Sequence, residues 1–361
     1  MKAIQCVVGV VGFLILWSAV ANSPVAAEAV FPGVDWAYET NGLSPETVSQ
    51  VNTYIHTLDT TGLMVVKHGR VVYEYGDVKK LSYIASVRKS VLSMLYGPYV
   101  ASGKIRLDAT LKDVGMSDVG GLLPIEERAT VIDLITARSG VYHPVEEADD
   151  PNTPKRGSKE PGTYWFYNLW DFDAADAAFE RMTGKDVYDA LRDDLAIPIG
   201  MQDFKRDRQY KVAVPRSQYP VKHMVLSTRD MARLGLLMLR QGQWGDRQII
   251  PAEWVRRSTS VRTSASEVQK PNLGYGYMWW VWEEAIGPFH GAFMAAGSYG
   301  QFITVLPELD MVVAHKTERP GDVSINQYGR LLGLLTGKKP ASADEMDSWT
   351  RRPPKSSAPT K

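Results

Sequence analysis

Thiols are almost missing: Cys6 is the only cysteine among 361 residues, and it stands at the very start of the chain. A disulfide framework, a thiolate zinc or iron–sulfur site and a cysteine nucleophile are therefore excluded from the body of the protein. Excess charge of either sign is missing too, with 41 basic and 41 acidic side chains giving a formal charge of zero. Without a polybasic block there is no phosphate-neutralising surface, which excludes nucleic acid as the expected partner. Several motifs are absent: a Gly-x-Ser-x-Gly elbow, His-Glu-x-x-His, a Gly-x-x-x-x-Gly-Lys-Ser/Thr loop and a complete Gly-x-Gly-x-x-Gly. The six histidines are scattered without ligand spacing, so no metal site is expected.

The one long apolar run is Val7 to Val20, preceded by Lys2 and followed by small residues at Ala19-Val20-Ala21 and Val25-Ala26-Ala27. This is the layout of a secretory signal peptide over residues 1–27, cleaved after Ala21 or Ala27. The run is shorter than the roughly 20 residues of a membrane span, so no span is expected to remain after cleavage, and the mature protein is expected in the periplasm or outside the cell. Cleavage also removes Cys6.

Apolar content of 44% and charged content of 23% describe a globular chain with ample core. From Gly62 the pattern predicts a hairpin turning at His68-Gly69-Arg70. Apolar residues at Val87, Val91, Met94 and Leu95 predict a helix over 86–100. Further helices are predicted over 130–137, 170–183, 187–195 and 228–242, and strands over 276–282, 302–306 and 311–315. Early strands, a helical middle and late strands imply an α+β fold: an antiparallel sheet drawn from about 35–85 and 272–337, with a mostly helical part over about 100–270. One hydrolase-sized unit then occupies 35–337, and residues 338–361 read as a solvated, disordered tail.

Ser86-Val87-Arg88-Lys89 is the tetrapeptide that carries chemistry. Ser-x-x-Lys sets a hydroxyl and an ammonium one helical turn apart, so both can face one cleft, and a lysine there can activate the serine. Alone, the pattern is also what a helix-capping serine and an exposed lysine would give.

In context the chain resembles the serine hydrolases of the class C β-lactamase and penicillin-binding-protein type, over roughly Gly62 to Thr317. The resemblance rests on Ile84-Ala85-Ser86-Val87-Arg88-Lys89-Ser90, Gly103-Lys104-Ile105-Arg106-Leu107-Asp108, the stretch from Val131 to Val141, Pro198-Ile199-Gly200-Met201, Ser227-Thr228-Arg229-Asp230-Met231 and Gly274-Tyr275-Gly276-Tyr277-Met278-Trp279-Trp280. It implies a β-lactamase/transpeptidase-like fold, with Ser86 as nucleophile and Lys89 and Tyr167 as proton carriers. A phenol beside an ammonium is expected to ionise more easily. The N–H groups of Ser86 and Ser298 are expected to form the oxyanion hole.

Two positions depart from the family. Where a Tyr-x-Asn motif is expected, Leu169 takes the asparagine position and the amide falls at Asn168. Where a cation precedes Thr/Ser-Gly, the chain has Ala295-Ala296-Gly297. Asn168, Trp165, Trp170, Gly297 and Ala295 are expected to touch substrate. These departures favour an ester or short-amide substrate over a β-lactam, whose carboxylate needs a cation. A small ester, amide or peptide is thus the expected partner, and no cofactor is needed because protein groups suffice. The alternatives are a β-lactamase or D-Ala-D-Ala carboxypeptidase, and a catalytically silent binding protein on the same fold.

Overall fold

The computed structural model describes residues 30–145, 151–284 and 286–338. The expected signal segment, the acidic run at 146–150 and all of the expected tail beyond Lys338 lie outside the described residues. The strands are β1 (Gly62–Lys67), β2 (Arg70–Gly76), β3 (Ser82–Tyr83), β4 (Tyr210–Val214), β5 (Ser217–His223), β6 (Val225–Leu226), β7 (Gln243–Trp244), β8 (Arg247–Gln248), β9 (Leu273–Tyr275), β10 (Trp280–Trp282), β11 (Phe293–Gly297), β12 (Gln301–Leu306) and β13 (Met311–Lys316). The helices are α1 (Pro45–Ile55), α2 (Val87–Ala101), α3 (Val131–Ile135), α4 (Leu169–Thr183), α5 (Val187–Ala190), α6 (Thr228–Leu239), α7 (Ala252–Ser258), α8 (Ala265–Val268) and α9 (Ile325–Thr336). None of the helices among the described residues is long and apolar enough to cross a membrane.

Seven strands form one antiparallel sheet in the order β2-β1-β13-β12-β11-β10-β9, so its centre joins the early part of the chain to the late part. Helices cover both faces. Leu63 and Val65 pack on the side of α1 and α9, while Met64 and Val66 face the other layer, which contains α2 and α6. A strand buried on both faces loses polar alternation, which is why β1 reads in sequence as an unbroken apolar run. The helix α6 lies close on the sheet at Gly235, where a Cβ would come within 2.4 Å of Val312 Cγ1. The α+β organisation expected from the sequence is therefore the observed one.

Differences are local. Of the strand expected over 276–282 only β10 is strand: residues 276–279 form the tight turn between β9 and β10, in which Gly276 N–H donates to Trp279 O and Met278 takes a left-handed φ of 62°. The helix expected over 187–195 is α5 followed by a π-helical turn, Leu191–Ala196. Helix α1 escaped the sequence pattern because it buries only Val51 and Ile55, too thin a stripe to stand out.

Behind the strand leading to Ser86, Lys316 is buried at the end of β13. Its Nζ donates to Ser82 O at 3.1 Å and to Leu226 O, joining the large sheet to the small β3–β6 ladder. Burial pulls the Lys316 amine down from 10.5 to about 7. Between these values the unfolded chain binds this proton and the folded protein does not, so stability rises with pH across that window and is lost as pH falls through it. Denaturant titrations from pH 7 upward to about pH 10 should show unfolding free energy climbing by as much as ~1 kcal/mol per pH unit from this group, and Lys316→Met should flatten the climb.

Candidate active site

Helix α2 starts directly after Ser86, which is its N-cap residue in a helical conformation. Ala85, immediately before, holds a left-handed φ of 48°, a conformation that costs a non-glycine residue about 1 kcal/mol or more. Ile84 N–H donates to Met224 O at 3.1 Å, fixing the approach to this bend. One turn into the helix, Lys89 Nζ donates to Ser86 Oγ at 3.0 Å and to the Tyr167 hydroxyl at 2.8 Å. The Lys89 side chain is buried, its Nζ 4.3 Å from the Tyr167 ring centre and 4.4 Å from that of Phe172. The serine, lysine and tyrosine singled out in the sequence are thus in one hydrogen-bonded set.

Tyr167 arrives on the segment preceding α4, anchored where Phe166 N–H donates to Ala137 O at 3.0 Å. Its ring stacks on Trp280 at 5.7 Å and leans on Phe172 at 4.9 Å. This burial pushes the phenol up to about 12, against the smaller opposing effects of the Ser86 hydrogen bond and the Arg88 charge. The expectation of an easily ionised phenol is therefore corrected: desolvation outweighs the Arg88 charge and the Ser86 hydrogen bond, and the phenol is raised rather than lowered.

Two expected substrate contacts are corrected as well. Asn168 is the N-cap residue of α4, and its amide is turned inward, donating to Val141 O at 2.5 Å and to Asp171 Oδ1 at 2.9 Å. Trp170 is wholly buried, with its indole N–H donating to Asp118 Oδ2 at 2.6 Å, so it belongs to the core. Trp165 is half-buried and edge-on to Tyr275 and Trp280 at 5.7 and 6.3 Å.

The third side comes from the β11–β12 hairpin. A Cβ at Gly297 would fall 2.7 Å from Ile84 O and 3.0 Å from Ser86 N, so glycine is what lets β11 close on Ser86. The turn Ser298-Tyr299-Gly300 follows, with Tyr299 at a left-handed φ of 68°. It is bracketed from below by His315, whose Nδ1 lies 2.7 Å from Gly300 O and Nε2 2.8 Å from Thr60 Oγ1. Facing a carbonyl, Nδ1 must carry the proton, and Nε2 accepts from the threonine. Burial drives this imidazole down to about 4, so it stays neutral. Ala295 is corrected in turn: it is fully buried among the core residues of β11, and its methyl is not available to a substrate.

Arg88, inside the Ser-x-x-Lys motif, went unassigned in the sequence. It is buried and donates to Asp173 Oδ1 at 2.6 Å and Asp176 Oδ2 at 3.0 Å, tying α2 to α4. Burial raises Asp173 to about 6, with the Arg88 charge opposing it. The spacing of two acids by three residues on a helix otherwise rich in alanine is the signal that could have found this tie. Among the described residues no group of three or more histidine, cysteine, aspartate or glutamate side chains could hold a metal ion.

A serine hydroxyl within reach of a lysine amine, a protonated phenol beside that amine, and two adjacent backbone segments closing on the serine can together support acyl transfer. The profile of the Beta-lactamase family matches residues 52–338. None of the curated proteins matches the chain. Among solved structures it is similar to a Bacillus anthracis protein provisionally described as a 6-aminohexanoate-dimer hydrolase, at 18% identity over 90% of this chain and 89% of that one, with a TM-score of 0.64. A family VIII carboxylesterase is similar at 16% identity over 81% of this chain and 97% of the other, TM-score 0.62. The octameric penicillin-binding protein homologue from Pyrococcus abyssi shares 17% identity over 81% and 77% of the two chains, TM-score 0.62. At these identities the likeness speaks for the fold, and the family match speaks for descent: the chain belongs to the Beta-lactamase family and is a hydrolase of the β-lactamase fold.

Proposed function

We propose that the protein cleaves a small ester or amide through an acyl-serine intermediate. The observation that carries this reading is the Lys89 Nζ held between Ser86 Oγ and the Tyr167 hydroxyl at 3.0 and 2.8 Å. Lys89, in its amine form, takes the Ser86 proton as Oγ bonds to the carbonyl carbon and the carbonyl electron pair moves to oxygen. The N–H groups of Ser86 and Ser298 receive that oxyanion. As the intermediate collapses, the departing alkoxide or amine takes its proton from Tyr167, which recovers one from the Lys89 ammonium. Water then enters by the reverse sequence and releases the acid. A phenol that titrates at about 12 suits a proton donor and leaves the role of base to the lysine.

Esters and short amides are favoured over β-lactams because Ala295 is buried and brings no cation to β11. The names of similar proteins, a carboxylesterase and a 6-aminohexanoate-dimer hydrolase, point the same way. The reading includes export, supported by the composition of residues 1–27. Protein recovered from the periplasm or medium should then begin at Asn22 or Glu28.

A fluorophosphonate probe should label the folded protein and fail to label Ser86→Ala; unlabelled wild-type protein would reject the serine mechanism. Lys89→Ala and Tyr167→Phe should each slow acylation by ~10²-fold or more. With wild-type protein, p-nitrophenyl esters should turn over faster than a chromogenic cephalosporin. Below about pH 10 the rate profile should show no step from tyrosine ionisation, and Tyr167→Phe should lower the rate without moving the steps that remain. Gly297→Ala should leave the protein folded yet cut acylation by ~10-fold or more, because its Cβ pushes β11 away from the Ser86 N–H.

A further inference from the structure

Where the linker into β3 meets the segment after Met201, an open cavity of about 440 Å³ lies between them, within the size range of small-molecule sites. Lys79, Lys80, Lys205 and Arg208 line it, and Asp203 is the acid on its wall. That carboxylate is taken by Arg229, whose guanidinium donates to both of its oxygens at 2.6 and 2.5 Å. Lys80 is matched by Glu318 at 2.7 Å. Lys79, Lys205 and Arg208 are exposed, and among the described residues no carboxylate pairs with any of them. Three uncompensated positive charges therefore border one cavity.

Both walls hang on the start of α6. Arg229 N–H donates to Val78 O at 3.1 Å, and the buried Asp230 carboxylate accepts the Gln202 and Asp203 N–H groups at 2.8 and 3.1 Å. Asp77 is turned to the backbone, where its Oδ1 accepts the Lys79 and Lys80 N–H groups at 3.1 Å each. Asp207, between Arg206 and Arg208, is not part of the lining. The acids nearby thus fix the frame and leave the cations unsatisfied.

Like charges gathered around one space repel each other, and an anion entering it relieves that repulsion. A carboxylate brings one negative charge, whereas a phosphate ester brings nearly two and pyrophosphate more. Lysine as a point charge and arginine as a planar fork both suit phosphate oxygens. The cavity shares no lining residue with Ser86, Lys89 and Tyr167, so what it binds does not depend on the acyl-serine reading.

We propose that this cavity binds a phosphate-bearing ligand, with Lys79, Lys205 and Arg208 gripping the phosphate oxygens. The phosphate belongs either to a soluble ester or to a lipid headgroup.

Calorimetry on the folded protein at about 0.15 M ionic strength tests this with inorganic pyrophosphate. Lys79→Gln, Lys205→Gln and Arg208→Gln should each weaken binding by up to about tenfold, and the three together by ~10²-fold or more. A control carrying Lys104→Gln, Arg247→Gln and Arg330→Gln removes the same charge from exposed cations elsewhere and should bind as wild type does. Two further probes separate the sources. Competition by glycerol 3-phosphate without sedimentation on phosphatidylcholine vesicles containing phosphatidic acid identifies a soluble ester; sedimentation that the triple cavity variant loses identifies a headgroup. Absence of pyrophosphate binding to wild type, equal affinities in the cavity and control triples, or acetate competing as well as pyrophosphate overturns the site.

Discussion

Everything at the site hangs on a buried charge that could not be left alone. Arg88 leaves α2 one residue before Lys89 and meets Asp173 and Asp176 on α4. A guanidinium without a partner in this interior would cost several kcal/mol, so the two helices hold the separation at which the carboxylates reach it. Ser86 and Lys89 ride on one of those helices. Tyr167 rides on the segment that the other helix begins from, with Asn168 as the joint. The 2.8 Å contact between lysine and phenol is therefore a consequence of the ion cluster one layer deeper.

Around that contact the protein removes water instead of adding charge. Aromatic rings enclose the lysine, and Trp280 covers the phenol. The result is a phenol that holds its proton more tightly than an exposed tyrosine does. Rigidity is supplied from outside the reacting groups. A left-handed Ala85 presents the serine, a neutral His315 holds the hairpin turn, and a glycine lets two backbone segments meet. None of these three belongs to the hydrogen-bonded set of Ser86, Lys89 and Tyr167, and each constrains the backbone beside it.

Much of this was legible in the sequence, and the limits have physical causes. Ser-x-x-Lys follows helical spacing, and the hairpin from Gly62 follows strand periodicity, so local pattern alone suffices for both. Gly297 stood out because few residues can lie against another backbone. Asn168 and Trp170 were misplaced because sequence gives a residue's position but not which way its side chain points; a helix-capping amide and a substrate-binding amide look the same until Val141 and Asp171 are seen to hold it. Ala295 was misread for the same reason. The titration of Tyr167 depended on Trp280, far away in the chain, and burial by a distant residue has no local signature. Asp173 and Asp176 resembled ordinary surface acids because their partner lies on another helix.

The pairing at the centre of the large sheet bears on how the protein is made. Thr60 beside β1 and His315 on β13 are 255 residues apart and share a hydrogen bond, and the two strands align along their whole lengths. A chain emerging from the ribosome holds β1 and β2 long before their partner exists, so the hairpin must wait with two apolar faces and an open edge. Topologies dominated by such distant contacts fold slowly and expose sticky intermediates. The same strand order that closes β11 on Ser86 therefore leaves the unfinished chain with an apolar, unpaired edge until its last strand is in place.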